Sequence, residues 1–135
     1  MAILLVELPP PPPTSYGVFT FDKGKREIIA YDGNLAEVYV PPHIRDNQVE
    51  TINNYAFYNN EFLKSIIISD AVSSIGTVLG CSNVTSVKVL AKKPPTLAKD
   101  AFKGCSAGLK IYVPEGSVNA YKTADNWSTY NISAY

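Results

Sequence analysis

Residues 49–68 read VETINNYAFYNNEFLKSIII, and their apolar positions are spaced Val49-x-x-Ile52-x-x-x-Ala56-Phe57-x-x-Asn60-x-x-Leu63-x-x-Ile66-x-Ile68. Ile66 and Ile68, two apart, point to one face of a strand. Leu63, three residues earlier, enters the same core from the preceding bend. Asn60 occupies a turn, where a small polar side chain can satisfy backbone groups. The pattern returns as Cys81-x-x-Val84-x-x-Val87-x-Val89 and, one residue shifted, as Cys105 with Leu109, Ile111 and Val113. A Pro-flanked copy stands earlier as Leu35-x-x-Val38-x-Val40-Pro41. Between copies lies a small-plus-apolar pair: Ala56-Phe57, Thr77-Val78 and Ala101-Phe102. Self-similarity at a period of about 20–29 residues is the mark of a solenoid, in which each unit buries its apolar face against its neighbours.

The spacing predicts a mainly β fold, a short solenoid of about four turns. Strands are expected near 36–41, 64–69, 85–90 and 109–113, stacked in parallel because every unit repeats one strand–turn order, with an opening hairpin near 17–31. Ile66, Ile68, Val87, Val89, Ile111 and Val113 should face the core. The residues between them, Tyr39, Ile67, Lys88 and Tyr112, should then form one exposed row on the sheet, with Glu37, Ser65, Ser86 and Lys110 beside it. An apolar Ile67 beside tyrosines is the kind of strip that marks a partner site. Asn60, Cys81 and Cys105 share one slot and should stack as a column, the two cysteines as buried thiols. Tyr121, Trp127 and Tyr130 are expected to seal the last repeat.

The run Val49 to Ile68 resembles the BspA-type leucine-rich repeat. Leu109-Lys-Ile-Tyr-Val-Pro114, followed by Tyr121-Lys122 and Trp127-Ser-x-Tyr130, is similar to the closing segment of that family. Gly17 to Gly33, with Ile28, Ile29, Tyr31 and Asp32, is similar to the hairpin that opens it. The resemblance covers about residues 17–135. It departs where Thr77-Val78 replaces Ala-Phe and where Lys92-Lys93-Pro94-Pro95 replaces a shorter turn. It implies a leucine-rich-repeat domain with an N-terminal hairpin cap, and a non-catalytic protein of bacterial surface or bacteriophage origin used in adhesion or recognition.

A chain of 135 residues with 46% hydrophobic content can support one domain with a real core. Its twelve basic and twelve acidic side chains are unevenly placed. Residues 88–110 hold six lysines against Asp100 alone, whereas residues 1–87 are acidic on balance. That polarity reads either as solvated turns or as a patch for an anionic glycan or other polyanion. Catalytic constellations are missing from the sequence. The single histidine, His43, is followed by Arg45 and Asp46 in a turn. Neither cysteine has a second metal ligand at short spacing, and no nucleophile–base motif is present. The expectation is therefore a protein that is not an enzyme and takes no cofactor, metal or nucleic acid.

The N-terminal segment 1–15 differs from the rest. Ile3, Leu4, Leu5, Val6 and Leu8 form an apolar run with strand composition, followed by Pro9, Pro10, Pro11, Pro12 and Pro13. The run lacks a basic start and a cleavage site, and is too short to span a membrane. Five prolines favour a stiff polyproline II spacer of roughly 15 Å. The segment reads as an arm that docks on another subunit, leaving residues 16–135 as the repeat domain. Two functions follow as expectations: a bacteriophage virion component (fibre, decoration or receptor-binding module) made in the host cytoplasm, or a bacterial cell-surface adhesin domain that binds host protein or glycan.

Overall fold

The computed structural model describes residues 19–78 and 81–135; the proposed arm, residues 1–15, lies outside them. The chain opens with an antiparallel hairpin, β1 (Phe19–Asp22) and β2 (Glu27–Tyr31). Asp22 closes its turn, accepting hydrogen bonds at Oδ1 from the amides of Gly24 (2.9 Å) and Lys25 (3.1 Å). The chain then lays down β3 (Glu37–Val40), a small hairpin of β4 (His43–Ile44) and β5 (Asn47–Gln48), and β6 (Thr51–Ile52). It continues through β7 (Ser65–Ile68), β8 (Ser74–Ile75), β9 (Ser86–Val89), β10 (Thr96–Leu97) and β11 (Lys110–Val113). A 3₁₀ turn at Glu115–Ser117, helix α1 (Val118–Lys122) and β12 (Ile132–Ala134) close it.

These elements wind into a solenoid with two sheets. The major sheet has the order β3-β7-β9-β11-β12 and is parallel throughout. The minor sheet has the order β1-β2-β6-β8-β10, parallel apart from the opening hairpin. Register explains why the repeat spacing works. Val38 pairs with Ile66, Ile66 with Val87, Val87 with Ile111 and Ile111 with Ile132. All five are buried, as are Val40, Ile68, Val89 and Val113 two residues on. The minor sheet adds a second apolar column of Ile28, Ile52, Ile75 and Leu97. Each such side chain contributes about 1.5–3 kcal/mol on burial, so the stack is held chiefly between turns.

The Asn/Cys slot is a column that ties each turn to the one before. Asn60 donates to the Gly33 carbonyl (3.1 Å) and accepts from the amides of Phe62 and Leu63. Cys81 donates from Sγ to the Phe57 carbonyl (2.8 Å), and Cys105 reaches the Val78 carbonyl at 3.9 Å. The residue before the slot takes a left-handed conformation, φ 55° at Asn59 and 102° at Gly104, which Asn and Gly tolerate best. The two cysteines are not joined in a disulfide; Cys81 is buried and Cys105, against expectation, is partly exposed. Burial, with Cys81 as a secondary cause, pushes the Cys105 thiol up to about 12.

Two further points differ from the sequence reading. The major sheet has a fifth strand, β12, which carries no copy of the repeat spacing and was not anticipated. Leu35, read as the core leucine of the first copy, is 47% exposed, whereas Leu63 and Val84 are fully buried. The chain reaches β3 from the cap hairpin, without the bend that turns Leu63 and Val84 inward. The expected sealing aromatics do close the stack: Tyr121 and Trp127 are fully buried and pack edge to face, with ring centroids 5.0 Å apart.

Candidate functional site

The outward positions of the major sheet line up as the alternation requires. Tyr39 pairs with Ile67, Ile67 with Lys88 and Lys88 with Tyr112, and Ser133 on β12 continues the row. Glu37, Ser65, Ser86 and Lys110 form the parallel second row. The inward choice of Ile66 and Ile111 over Ile67 and Tyr112 holds. The main row is half-buried where full exposure was expected, because adjacent strands bring its side chains into mutual contact.

Local contacts give this face a fixed shape. Ser65 Oγ donates to Glu37 Oε2 at 2.8 Å. The C-terminal residue, Tyr135, is tied down by its amide, which donates to the Val113 carbonyl (3.1 Å). Its ring lies under the Lys88 ammonium, 4.8 Å from Nζ to the ring centroid, a cation–π arrangement. Burial and, secondarily, the nearby Asp70 carboxylate raise the Tyr135 phenol pKa. Tyr135, missed by the repeat analysis, is thus part of the face, and Lys88 is committed to it. The face runs from an acidic edge at Glu37 to a basic one at Lys88 and Lys110.

A second exposed aromatic group lies elsewhere. Tyr55 (62% exposed) and Tyr58 (57%) meet edge to face at 5.8 Å, and Phe62 in the same turn is 57% exposed. Both tyrosines flank Ala56-Phe57, where periodicity does not distinguish an outward ring from one that covers its own turn.

His43 is exposed on β4, beside the turn residues Arg45 and Asp46. Among the described residues no group of three or more His, Cys, Asp or Glu side chains could hold a metal ion. No helix among them is long and apolar enough to cross a membrane.

Residues 31–131 match the BspA type leucine rich repeat region, in six copies. The chain belongs to the BspA-type leucine-rich repeat family. Among solved structures, it is similar to the crystal structure of the leucine-rich repeat protein of T. pallidum, TpLRR, with a TM-score of 0.55 and 15% identity over 84% of this chain and 70% of that one. At that identity the likeness shows the fold. No curated protein aligns with the sequence at a significant level. Membership of this family points to a surface or binding role, and solenoids of this kind are typically non-catalytic scaffolds.

Proposed function

We propose that this protein is a non-catalytic display and binding module of a larger assembly, a bacteriophage virion component (fibre, decoration or receptor-binding module), attached through residues 1–15. The observation that carries the binding half of this reading is the in-register row Tyr39–Ile67–Lys88–Tyr112. It offers a flat, partly apolar strip with aromatic rings, suited to a protein or glycan partner on a host surface. The attachment half rests on composition: Ile3 to Leu8 could add a strand to a sheet edge of another subunit, and the prolines would hold the solenoid off it. Neither nucleic acid nor membrane insertion enters this reading.

A second reading, a bacterial cell-surface adhesin domain, is favoured by the likeness to a bacterial leucine-rich repeat protein. Deleting residues 1–15 separates the two. The truncated chain should stay folded and soluble, by circular dichroism and its melting curve, and should fail to enter the particle that the full chain joins in its host. A truncated chain that assembles normally, or cannot fold, removes the arm as an anchor and leaves the adhesin reading ahead.

A further inference from the structure

We propose that the cleft between the solenoid turns carrying β7 and β9 binds a sugar residue bearing a carboxylate or a sulfate. The cleft measures about 690 Å³ and lies between Asp70–Ser73 and Leu90–Thr96, within the size range of small-ligand sites. Its rim carries Lys92 and Lys93, both exposed. They belong to the stretch 88–110, where six lysines face a single acidic residue, so the local field favours an anion.

The loop bearing these lysines is held at both ends. The Tyr121 hydroxyl donates to the Ala91 carbonyl at 2.5 Å, and the Trp127 indole N–H donates to the Pro95 carbonyl at 2.8 Å. Both donors are fully buried in the C-terminal cap. Pro94 and Pro95 restrict the backbone between those ties. Two cations presented from a pinned loop lose less conformational freedom on binding than two on a loose one.

Three groups argue for a sugar acid over an acidic peptide. Tyr135 is 53% exposed, its ring lies below the Lys88 ammonium, and the charge of Asp70, a lining residue of the cleft, acts on its phenol. An exposed ring next to cations is a platform for the apolar face of a pyranose. The Thr96 hydroxyl can donate to, or accept from, a sugar hydroxyl. Asp70, a lining residue, can accept hydrogen bonds from sugar hydroxyls, donors that the carboxylate side chains of an acidic peptide lack.

The inference rests on the solenoid being a binding scaffold and is independent of the arm, so the truncation experiment above and the following one fail separately. The full chain is titrated, with calorimetry or NMR shifts, against a hyaluronan hexasaccharide (carboxylate only), a sulfated chondroitin hexasaccharide, neutral maltohexaose and hexaglutamate. One or both acidic sugars should bind, the arm that binds identifying the anion, and the other two probes should not. Replacing Lys92 and Lys93 together by Glu should weaken binding at least about tenfold, and Tyr135→Ala should weaken it severalfold. The same charge change at Lys99 and Lys103, exposed lysines of the same turn outside the cleft lining, should leave affinity within about twofold. Equal losses from both double variants, hexaglutamate binding as tightly as the sugars, or no binding of either acidic sugar up to about 10 mM each overturn the proposal. All substituted side chains are exposed, so unchanged melting curves keep folding out of the reading.

Discussion

The two ends of the solenoid solve one problem by opposite means. A stack of repeats leaves an unpaired strand edge and an open core at each end, and both must be closed. At the N-terminal end the minor sheet is carried outward by real strands: β2 pairs with β6, and β1 folds back on β2. At the C-terminal end it is the major sheet that gains a strand, β12, while the minor sheet stops at β10. There, side chains replace the missing strand. Trp127 Nε1–H donates to the Pro95 carbonyl, and the Asn126 amide donates to the Leu97 carbonyl at 2.8 Å. The Tyr130 hydroxyl accepts from the Phe102 amide at 3.1 Å. The first end is closed by backbone pairing and depends on shape. The second is closed by particular donors and depends on residue identity.

That contrast is open to a graded series of substitutions. The largest effect should come from Trp127→Ala, which leaves a cavity at a fully buried ring and frees a carbonyl; about 3–5 kcal/mol is expected in urea unfolding. Hydrogen exchange should rise first in β10, β11 and β12, and a loss spread evenly over all turns would erase the distinction between the ends. At the other end Gly33→Ala probes shape. A Cβ there would run into the Tyr31 ring, which packs between Phe19 and Phe57. Overpacking of this kind costs about 1–3 kcal/mol, and a variant with the wild-type midpoint would show that the hairpin shifts freely.

Alkaline pH should press on the C-terminal half. Burial raises the Cys105 thiol from 9.0 to about 12 and also raises the Tyr121 phenol. Groups whose folded pKa is raised stabilise fully below their unfolded values. They lose that contribution as pH climbs toward the folded ones, from about pH 9 for Cys105. The urea midpoint should therefore fall steadily between pH 8.5 and 11, less steeply in Cys105→Ala, and a flat profile contradicts the burial of these groups. The smallest effect belongs to Asn126→Gly. Asn126 has φ 68°, which glycine also adopts, so the substitution isolates the hydrogen bond to Leu97 at about 0.5–1.5 kcal/mol.

The repeat made the middle of the molecule legible. Two apolar residues at a spacing of two, with a third three residues before, set strand position, strand face and stacking direction for β7, β9 and β11 alike. At the ends the opening hairpin and the sealing aromatics are legible, but the closing strand β12 is not. Ile132 is buried by lying beside Ile111, and the residue two further on is only the small, exposed Ala134. Leu35 satisfies the spacing yet lies exposed, because a pattern assumes a preceding turn that the first unit lacks. Beyond its opening hairpin the minor sheet is not legible, because two-residue strands such as Thr51–Ile52 and Ser74–Ile75 are too short to show a period. The candidate face was half legible. Alternation set the row Tyr39–Ile67–Lys88–Tyr112, but Tyr135 joins it only through the fold of the C-terminus. The proposed cleft was visible in sequence only as a lysine pair before two prolines. Its anchors, Tyr121 and Trp127, lie about 30 residues further on.

The ladder of the major sheet also has a mechanical meaning. Its hydrogen bonds, like the slot contacts of Asn60 and Cys81, run from one turn to the next along the axis of the stack. Tension applied between the two ends therefore loads the joints in series, each carrying the full force, and the weakest of them opens first. An object built this way yields by paying out chain one coil at a time, and each released coil can wind back onto the template that remains. In the role proposed above, held at one end and gripping a surface at the other, such a module would act as a shock absorber as well as a spacer.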